Sequence, residues 1–235
     1  MSERAFTDAA LALAVAAENG SSLCPSFLNA LPVTHAAIST LGAPFGSETI
    51  CASDGQAARL DELQIDFGAG PCWDALRTRT PVVDADLQEP TESGWPLLRG
   101  VLRDAGVRSL YAFPMAIGEL NVGAVDLYAT TPAALSPMLI ARASALADLA
   151  ATHVLRKVLH RLPAVDDNTD SATYSRREVH QATGMIIAQL GLKAEDAQDI
   201  LNAHAFALGR SVRDVAADIV ARRITFAPDG TIDGD

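Results

Sequence analysis

The chain has 235 residues, 49% of them apolar and 20% charged, with a net charge of −11. That is enough chain for two packed units, and too apolar for a disordered protein. Residues 1–170 hold 11 Lys+Arg against 20 Asp+Glu, residues 171–226 hold 7 against 6, and the last nine add three aspartates; only the rear segment would not repel a phosphate backbone.

Three cysteines, Cys24, Cys51 and Cys72, form no CxxC pair. An odd count without such a pair points to a reducing compartment and offers no structural zinc site, so no metal is expected. Glu3 and Asp8 precede the apolar run Ala9–Ala17, where a secretory signal needs positive charge. No apolar run is read as a membrane span, and the expectation is a cytoplasmic protein without a membrane partner.

In chain order, Phe6, Ala10, Leu13, Ala14 and Ala17 recur at helical spacing and predict a helix over Ser2–Glu18, stopped by Asn19-Gly20. Val33–Leu41 and Glu48–Ala52 read as strands around a Gly/Pro turn, and Asp54–Asp66 as a helix. The run Phe67-Gly68-Ala69-Gly70-Pro71-Cys72-Trp73 is a turn opening a helix to Arg79. Val82–Asp84 is a short strand and Trp95–Ala105 a helix ended by Gly106. Arg108–Ile117 and Asn121–Ala129 give the clearest strand signal in the chain.

Ser136 caps and Pro137 opens a long helix predicted to run to Leu162, a rod of roughly 39 Å at the standard rise. It carries two apolar stripes, Leu139/Ala143/Leu146/Ala150 and Ala147/Ala151/Val154/Val158. One stripe covers a sheet; the other needs a partner, and a second copy of the helix is the simplest, so a homodimer is expected. The acidic, proline-led stretch 163–172 reads as a linker, and 227–235 as a disordered tail.

Between them lie three helices. In the first, about Thr173–Leu190, Val179, Ala182, Ile186 and Leu190 face a core and Arg177, Gln181, Gly184 and Ala188 form the opposite stripe. Glycine in mid-helix costs about 1 kcal/mol against alanine. Two explanations stand open for Gly184: close approach of another backbone, or packing inside the bundle. In the second helix, about Ala194–Leu208, Ala197, Leu201, His204 or Ala205, and Leu208 fall at core spacing, with His204 read as structural. Ser211 and Asp214 form a capping box for the third helix, whose stripe is Val212, Val215, Ala216, Ile219 and Val220. Arg210 and Arg213 at its start do not complement the helix dipole, which leaves an anionic partner or plain solvation to account for them.

The run VHQATGMIIAQLGLKAEDAQDILNAHAFALGRSVRDVAADIVARRITF resembles an ANTAR domain. The matching features are Gln181-Ala182, Gly184-Met185, Gly191, Glu195, Ala197, Leu201, Ala205, Arg213-Asp214-Val215-Ala216 and Ile219-Val220. The resemblance implies RNA binding without catalysis, by a dimer that recognises hairpin loops in nascent transcripts and so prevents termination. Arg177, Gln181, Thr183, Gly184, Arg210, Ser211 and Arg213 are the RNA-facing residues it suggests, although many relatives carry lysine at the position of Thr183 and Lys193 is a poor cap for the second helix. The front half, with FGAGPCWDAL, PVVDADL and RSLYAFPMAIGELNVGAVDLYAT, resembles a GAF domain, which implies a small-ligand pocket. Cys72, Trp73, Tyr111 and Phe113 are its candidate lining, and no cofactor is identified.

The expected fold class is therefore α+β: a GAF-like antiparallel sheet flanked by helices over 1–162, then an all-α three-helix bundle over 173–226, as in actinobacterial-type GAF–ANTAR antitermination regulators. Two rival functions remain. Cys51 and Cys72 keep open a thiol enzyme like the free methionine sulfoxide reductases, and three short helices can mimic a DNA-binding helix-turn-helix. A non-enzymatic, signal-responsive regulator is the favoured reading.

Overall fold

A computed structural model describes residues 3–89, 94–161, 176–227 and 232–233. The chain forms two compact units, 1–169 and 170–235. The predicted linker lies outside the described residues.

Unit one is a five-stranded antiparallel sheet between two layers of helix. The strands β1 (His35–Thr40), β2 (Glu48–Ala52), β3 (Val82–Asp84), β4 (Ser109–Ile117) and β5 (Leu120–Ala129) pair in the order β2-β1-β5-β4-β3. Their side chains alternate between faces. One face presents Ala36, Ile38, Tyr111, Phe113, Val125 and Leu127 to α1 (Glu3–Glu18), α2 (Cys24–Ala30) and α6 (Pro137–Arg161). The other presents Ser39, Leu110, Ala124, Asp126 and Tyr128 to α3 (Gly55–Phe67), α4 (Pro71–Thr78) and α5 (Pro96–Asp104).

The predicted elements stand to within a few residues. The exception is α2, whose seven residues are too few for a helical period to declare itself; Pro25 in its first turn is the cue that was available. Helix α3 starts where Asp54 Oδ1 accepts the backbone N–H groups of Gln56 and Ala57, both at 2.9 Å. In α6, Ser136 Oγ accepts from Leu139 N at 3.3 Å.

Both apolar stripes of α6 are buried within the unit. Ala143, Leu146, Ala147, Ala150, Ala151 and Val154 are all 1% exposed or less, packed on the sheet and on α1. The sheet and α1 of the same chain together cover both stripes, and the argument for a dimer from an uncovered stripe falls. The segment Pro137–Leu159 does reach the length and apolarity of a membrane span, with a mean hydropathy of 1.3, contrary to the sequence expectation. Its buried face makes it the core helix of this unit.

Unit two packs α7 (Arg177–Leu190), α8 (Ala194–Ala207) and α9 (Val212–Val220) around Val179, Ala182, Ile186, Ala197, Leu201, Ala205, Val215, Ala216 and Ile219. Residues 173–175 of the predicted first helix lie outside the described residues. Leu208 is not in this core: α8 ends at Ala207, and Leu208 is exposed in the turn that follows. His204 is structural, with its ring edge-on to Phe226 at 5.7 Å between centroids. Part of the tail read as disordered forms a ribbon, β6 (Thr225–Phe226) with β7 (Ile232–Asp233). Ile224 and Phe226 seat that ribbon in the core, which a short polar tail with one apolar anchor does not advertise.

Candidate functional site

Two arrangements of side chains stand out, one in each unit. In unit two it is the outer stripe of α7. Arg177, Gln181, Gly184 and Ala188 are all exposed, as their spacing predicts, while Val179, Ala182 and Ile186 turn inward. A Cβ built on Gly184 would meet nothing within 4 Å, so packing inside the bundle does not explain this glycine. The first of its two explanations, an approaching external backbone, is the one left standing.

Thr183 does not belong to this stripe. It is only 9% exposed, and its hydroxyl donates to the Val179 carbonyl at 2.8 Å and lies 3.0 Å from Gln198 Oε1. Gln198 Nε2 in turn donates to Asn202 Oδ1 at 2.9 Å. Thr183 thus ties α7 to α8. One helical step of 100° separates it from Gly184, enough to move a residue from the outer stripe to the seam between helices.

Ser211 caps α9: its Oγ accepts from Asp214 N at 3.1 Å and donates to Asp214 Oδ2 at 2.7 Å. Arg210 has an anionic partner within its own unit, Asp218 Oδ2 at 2.7 Å. Asp218 also accepts from Arg223, and hydrogen bonds from the two arginines pull its pKa below the usual carboxylate value. Arg213 is half-buried near the start of α9. The structure therefore places Arg177, Gln181 and Gly184 together on one exposed helix face, and Arg210, Ser211 and Arg213 at the entry to another helix.

In unit one the predicted pocket does not exist as a single locus. Tyr111 and Phe113 sit on β4 in register with inward residues of the α1/α2/α6 face, where the Tyr111 hydroxyl donates to the Ala133 carbonyl. Cys72 and Trp73 start α4, on the opposite face of the sheet. Strand alternation, with the period of two that separates 111 and 113 from 110 and 112, puts the two pairs on opposite sides.

What the α3/α4 face holds instead is a buried polar cluster. Asp61, Gln64, Asp126, Tyr128 and Cys72 are all fully buried. Asp61 accepts from the hydroxyls of Ser39, at 3.0 Å, and Thr49. One turn along α3, Gln64 Nε2 donates to the Tyr128 hydroxyl at 2.9 Å and Gln64 Oε1 accepts from Cys72 N at 3.0 Å. Trp73 Nε1 donates to the Gln64 carbonyl at 2.8 Å, pinning the turn between α3 and α4.

Gly70 makes that turn possible. Its φ of 139° suits glycine, and a Cβ there would lie 2.7 Å from Gln64 Oε1. Pro71 then opens α4, as the sequence predicts.

Asp126 stands apart within the cluster. Neither of its carboxylate oxygens has a hydrogen-bond donor of ordinary geometry. Burial, and next the Asp61 carboxyl beside it, push its pKa well above the usual carboxylate range, against a weaker opposing hydrogen bond from the Gln64 side chain. Burial and these same two carboxyls also raise the Cys72 thiol and the Tyr128 phenol. Sequence reading passed over Asp61, Gln64, Asp126 and Tyr128. The available signal was Asp126 itself, a lone carboxylate inside the apolar run of β5, on the inward face with Ala124 and Tyr128.

Comparison with known proteins agrees with the architecture. A GAF domain model matches residues 3–154, and an ANTAR domain model matches residues 167–220. No curated protein matches the chain. Among solved structures, the chromophore-binding domain of the bacteriophytochrome RpBphP3 from R. palustris is 11% identical, covering 68% of this chain and 64% of its own, with a TM-score of 0.48. The A. aeolicus nlh2 GAF domain in an inactive state is 10% identical, covering 66% and 98%, with a TM-score of 0.47. GAF3 from Slr1393 of Synechocystis sp. PCC6803, in its photoproduct state, is 15% identical, covering 68% and 99%, with a TM-score of 0.44. With the family model spanning most of the chain, this protein belongs to the GAF domain family and carries an ANTAR domain behind its GAF domain.

Proposed function

We propose that this protein is a signal-responsive transcription antitermination regulator. Its ANTAR domain binds hairpin loops in nascent RNA, and its GAF domain senses a small molecule that controls that binding. The reading is of a cytoplasmic, non-catalytic protein. The observation that carries it is the exposed stripe Arg177, Gln181, Gly184 and Ala188, whose glycine faces open space. A cation, an amide and a side-chain-free patch suit a partner that offers phosphates and unpaired base edges.

RNA is favoured over duplex DNA by the near-neutral charge of the helical bundle, 7 Lys+Arg against 6 Asp+Glu over residues 171–226. Arg210 is already neutralised by Asp218, so the entry to α9 lacks the strong cationic character of a major-groove helix. The thiol-enzyme reading loses its pair: Cys51 lies in the α1/α2/α6 core and Cys72 on the other face of the sheet. Burial also raises the Cys72 thiol, which opposes thiolate chemistry there.

A homodimer remains part of the proposal, because few cations per copy give modest affinity unless two act together. The surface available to it is apolar and exposed, with Leu11 and Val15 on α1 and Met138 and Leu149 on α6.

The test is crosslinking of the full chain to RNA in cells, with sequencing of what is bound, beside a Gln181→Ala variant. The expected result is enrichment of leader hairpins that precede terminators, lost in the variant. Recovery of RNA without hairpins, or equal recovery by both chains, contradicts the proposal.

A further inference from the structure

Two of the three free cysteines meet in the core between the sheet and α2. Cys51 pairs with Ile38 in the β1–β2 register, so both side chains turn to the α1/α2/α6 side. Cys24 is the first residue of α2, which packs on β1 there. The Cys24 S–H donates to Cys51 Sγ, and so do the Ser22 hydroxyl and the backbone N–H groups of Leu23 and Cys24. Ser22 Oγ in turn accepts from Cys24 N at 3.4 Å, which wraps this turn around the Cys51 sulfur.

A buried cysteine that only packs behaves as a small apolar side chain and asks for no donors. Four donors on one sulfur are what a thiolate asks for. Led by the one from Cys24, these hydrogen bonds outweigh burial and pull the Cys51 thiol below its usual value. Burial, and next the contact with Cys51, push the Cys24 thiol well up, so it keeps its proton. The pair is divided into an attacking sulfur and a proton-bearing one. Cys72, on the other face of the sheet, has its thiol raised by burial and then by Asp126 and Asp61. Access follows the same division. Cys51 is 7% exposed and Ser22 beside it is exposed, whereas Cys24 and Cys72 are at 0%. So narrow an opening admits a small uncharged oxidant and turns away a bulky disulfide.

We propose that Cys24 and Cys51 are the GAF domain's sensing dithiol and that its signal is a hydroperoxide, which closes them into a disulfide. The Cys51 thiolate attacks the peroxide. An S–O bond forms, the O–O bond breaks, and the released oxygen takes up the proton that Cys51 gave to solvent and leaves as water. The Cys24 sulfur then attacks Cys51. The S–S bond forms, the S–O bond breaks, and the Cys24 proton departs with the hydroxide as a second water. The two thiols lose two electrons and two protons, and hydrogen peroxide becomes two waters. The product is neutral, which suits an apolar core, and it ties α2 to β2 covalently. A dithiol reductant reverses it by exchange.

This inference rests on the reading of unit one as a sensor and names the class of molecule sensed. The experiment exposes the reduced full chain to hydrogen peroxide at neutral pH, follows thiol loss, and maps the disulfides by mass spectrometry of its peptides. A Cys24–Cys51 crosslink within one chain is expected, with Cys72 left as a thiol. It forms about tenfold or more faster than in the same chain unfolded in guanidinium. Ser22→Ala removes one donor at an exposed position and slows the oxidation several-fold. Cys24→Ser leaves a sulfenic acid on Cys51 that dimedone traps. The map of the unaltered chain needs no substitution, so it decides the matter even where a variant fails to fold. Hairpin affinity differs about fivefold or more between the reduced and the oxidised chain.

A crosslink to Cys72, disulfides only between chains, oxidation no faster than in the unfolded chain, or an unchanged rate in Ser22→Ala overturns the inference. So does a measurable hairpin affinity that is equal in the two states. If hairpins bind and no crosslink forms, the assignment of the dithiol falls alone. If the crosslink forms as described and neither state binds hairpins, the RNA reading falls alone.

Discussion

The GAF domain hides its polar chemistry beneath a sheet, whereas the ANTAR domain displays its own on the outside of a helix. In the first, Asp61, Gln64, Asp126 and Tyr128 are fully buried and mutually hydrogen-bonded or charge-coupled. In the second, Arg177, Gln181 and Gly184 are exposed, and the buried threonine between them is the one that serves the fold. The difference teaches which substitutions report on stability and which on recognition. Changes in the sealed cluster should move folding first; changes on the α7 stripe should move binding and leave folding alone.

The largest expected effect is at Gly123. A Cβ there would lie 1.8 Å from the Ser39 carbonyl oxygen, inside the β1–β5 pairing that carries the whole cluster. Gly123→Ala is expected to cost about 4 kcal/mol or more. In chemical denaturation the GAF transition collapses while the ANTAR transition stays; loss of both together would show that the two units do not fold separately.

Next come the two buried carboxyls, which should behave oppositely. Asp61→Ala strands the hydroxyls of Ser39 and Thr49 and is expected to destabilise by about 3 kcal/mol. Asp126→Asn removes a group whose folded pKa is raised, so its protonated form is the one the fold favours. Stability from that group is fully present below the unfolded value of 3.8 and declines as pH rises through the folded value. The variant should therefore equal or exceed the parent at neutral pH and flatten the pH profile above 4, measured by thermal melting across pH.

A smaller effect separates Thr183 from its neighbour. Thr183→Val removes the hydroxyl that reaches Val179 and Gln198 and should cost about 1–2 kcal/mol, with hairpin affinity unchanged once the chain is folded.

Smallest is the acid response of Asp54. Burial opposes its ionisation, but the Ser53 hydroxyl, His35 and the Ala57 N–H outweigh that and hold its pKa at about 2. Its contribution to α3 is complete above 3.8 and disappears as pH falls through about 2, so Asp54→Ala should narrow the gap to the parent only in that window.

Much of this was legible in the sequence because period and punctuation are local. The 3.6-residue period in Val179, Ala182 and Ile186 fixed the α7 faces, and Ser211 with Asp214 marked the start of α9. Errors arose where the answer depends on what lies across the fold. The two stripes of α6 suggest a second copy, but the sheet and α1, more than a hundred residues earlier, cover both within the unit. Tyr111 and Phe113 are aromatic residues that the GAF resemblance offers as pocket lining, yet the pleat turns them away from Cys72. Asp61 and Asp126 are 65 positions apart in sequence, and the β1–β5 register together with the packing of α3 on β1 puts them under the same face of the sheet.

The central claim, that the outer face of α7 is where RNA lands, is tested most directly by measuring hairpin affinity for Gly184→Gln beside Thr183→Val. A side chain at Gly184 meets nothing within its own unit and should raise helix stability by about 0.5 kcal/mol. The account predicts that Gly184→Gln melts no lower than the parent yet binds hairpins at least tenfold more weakly, while Thr183→Val melts lower and binds normally. Unchanged affinity in Gly184→Gln would contradict it.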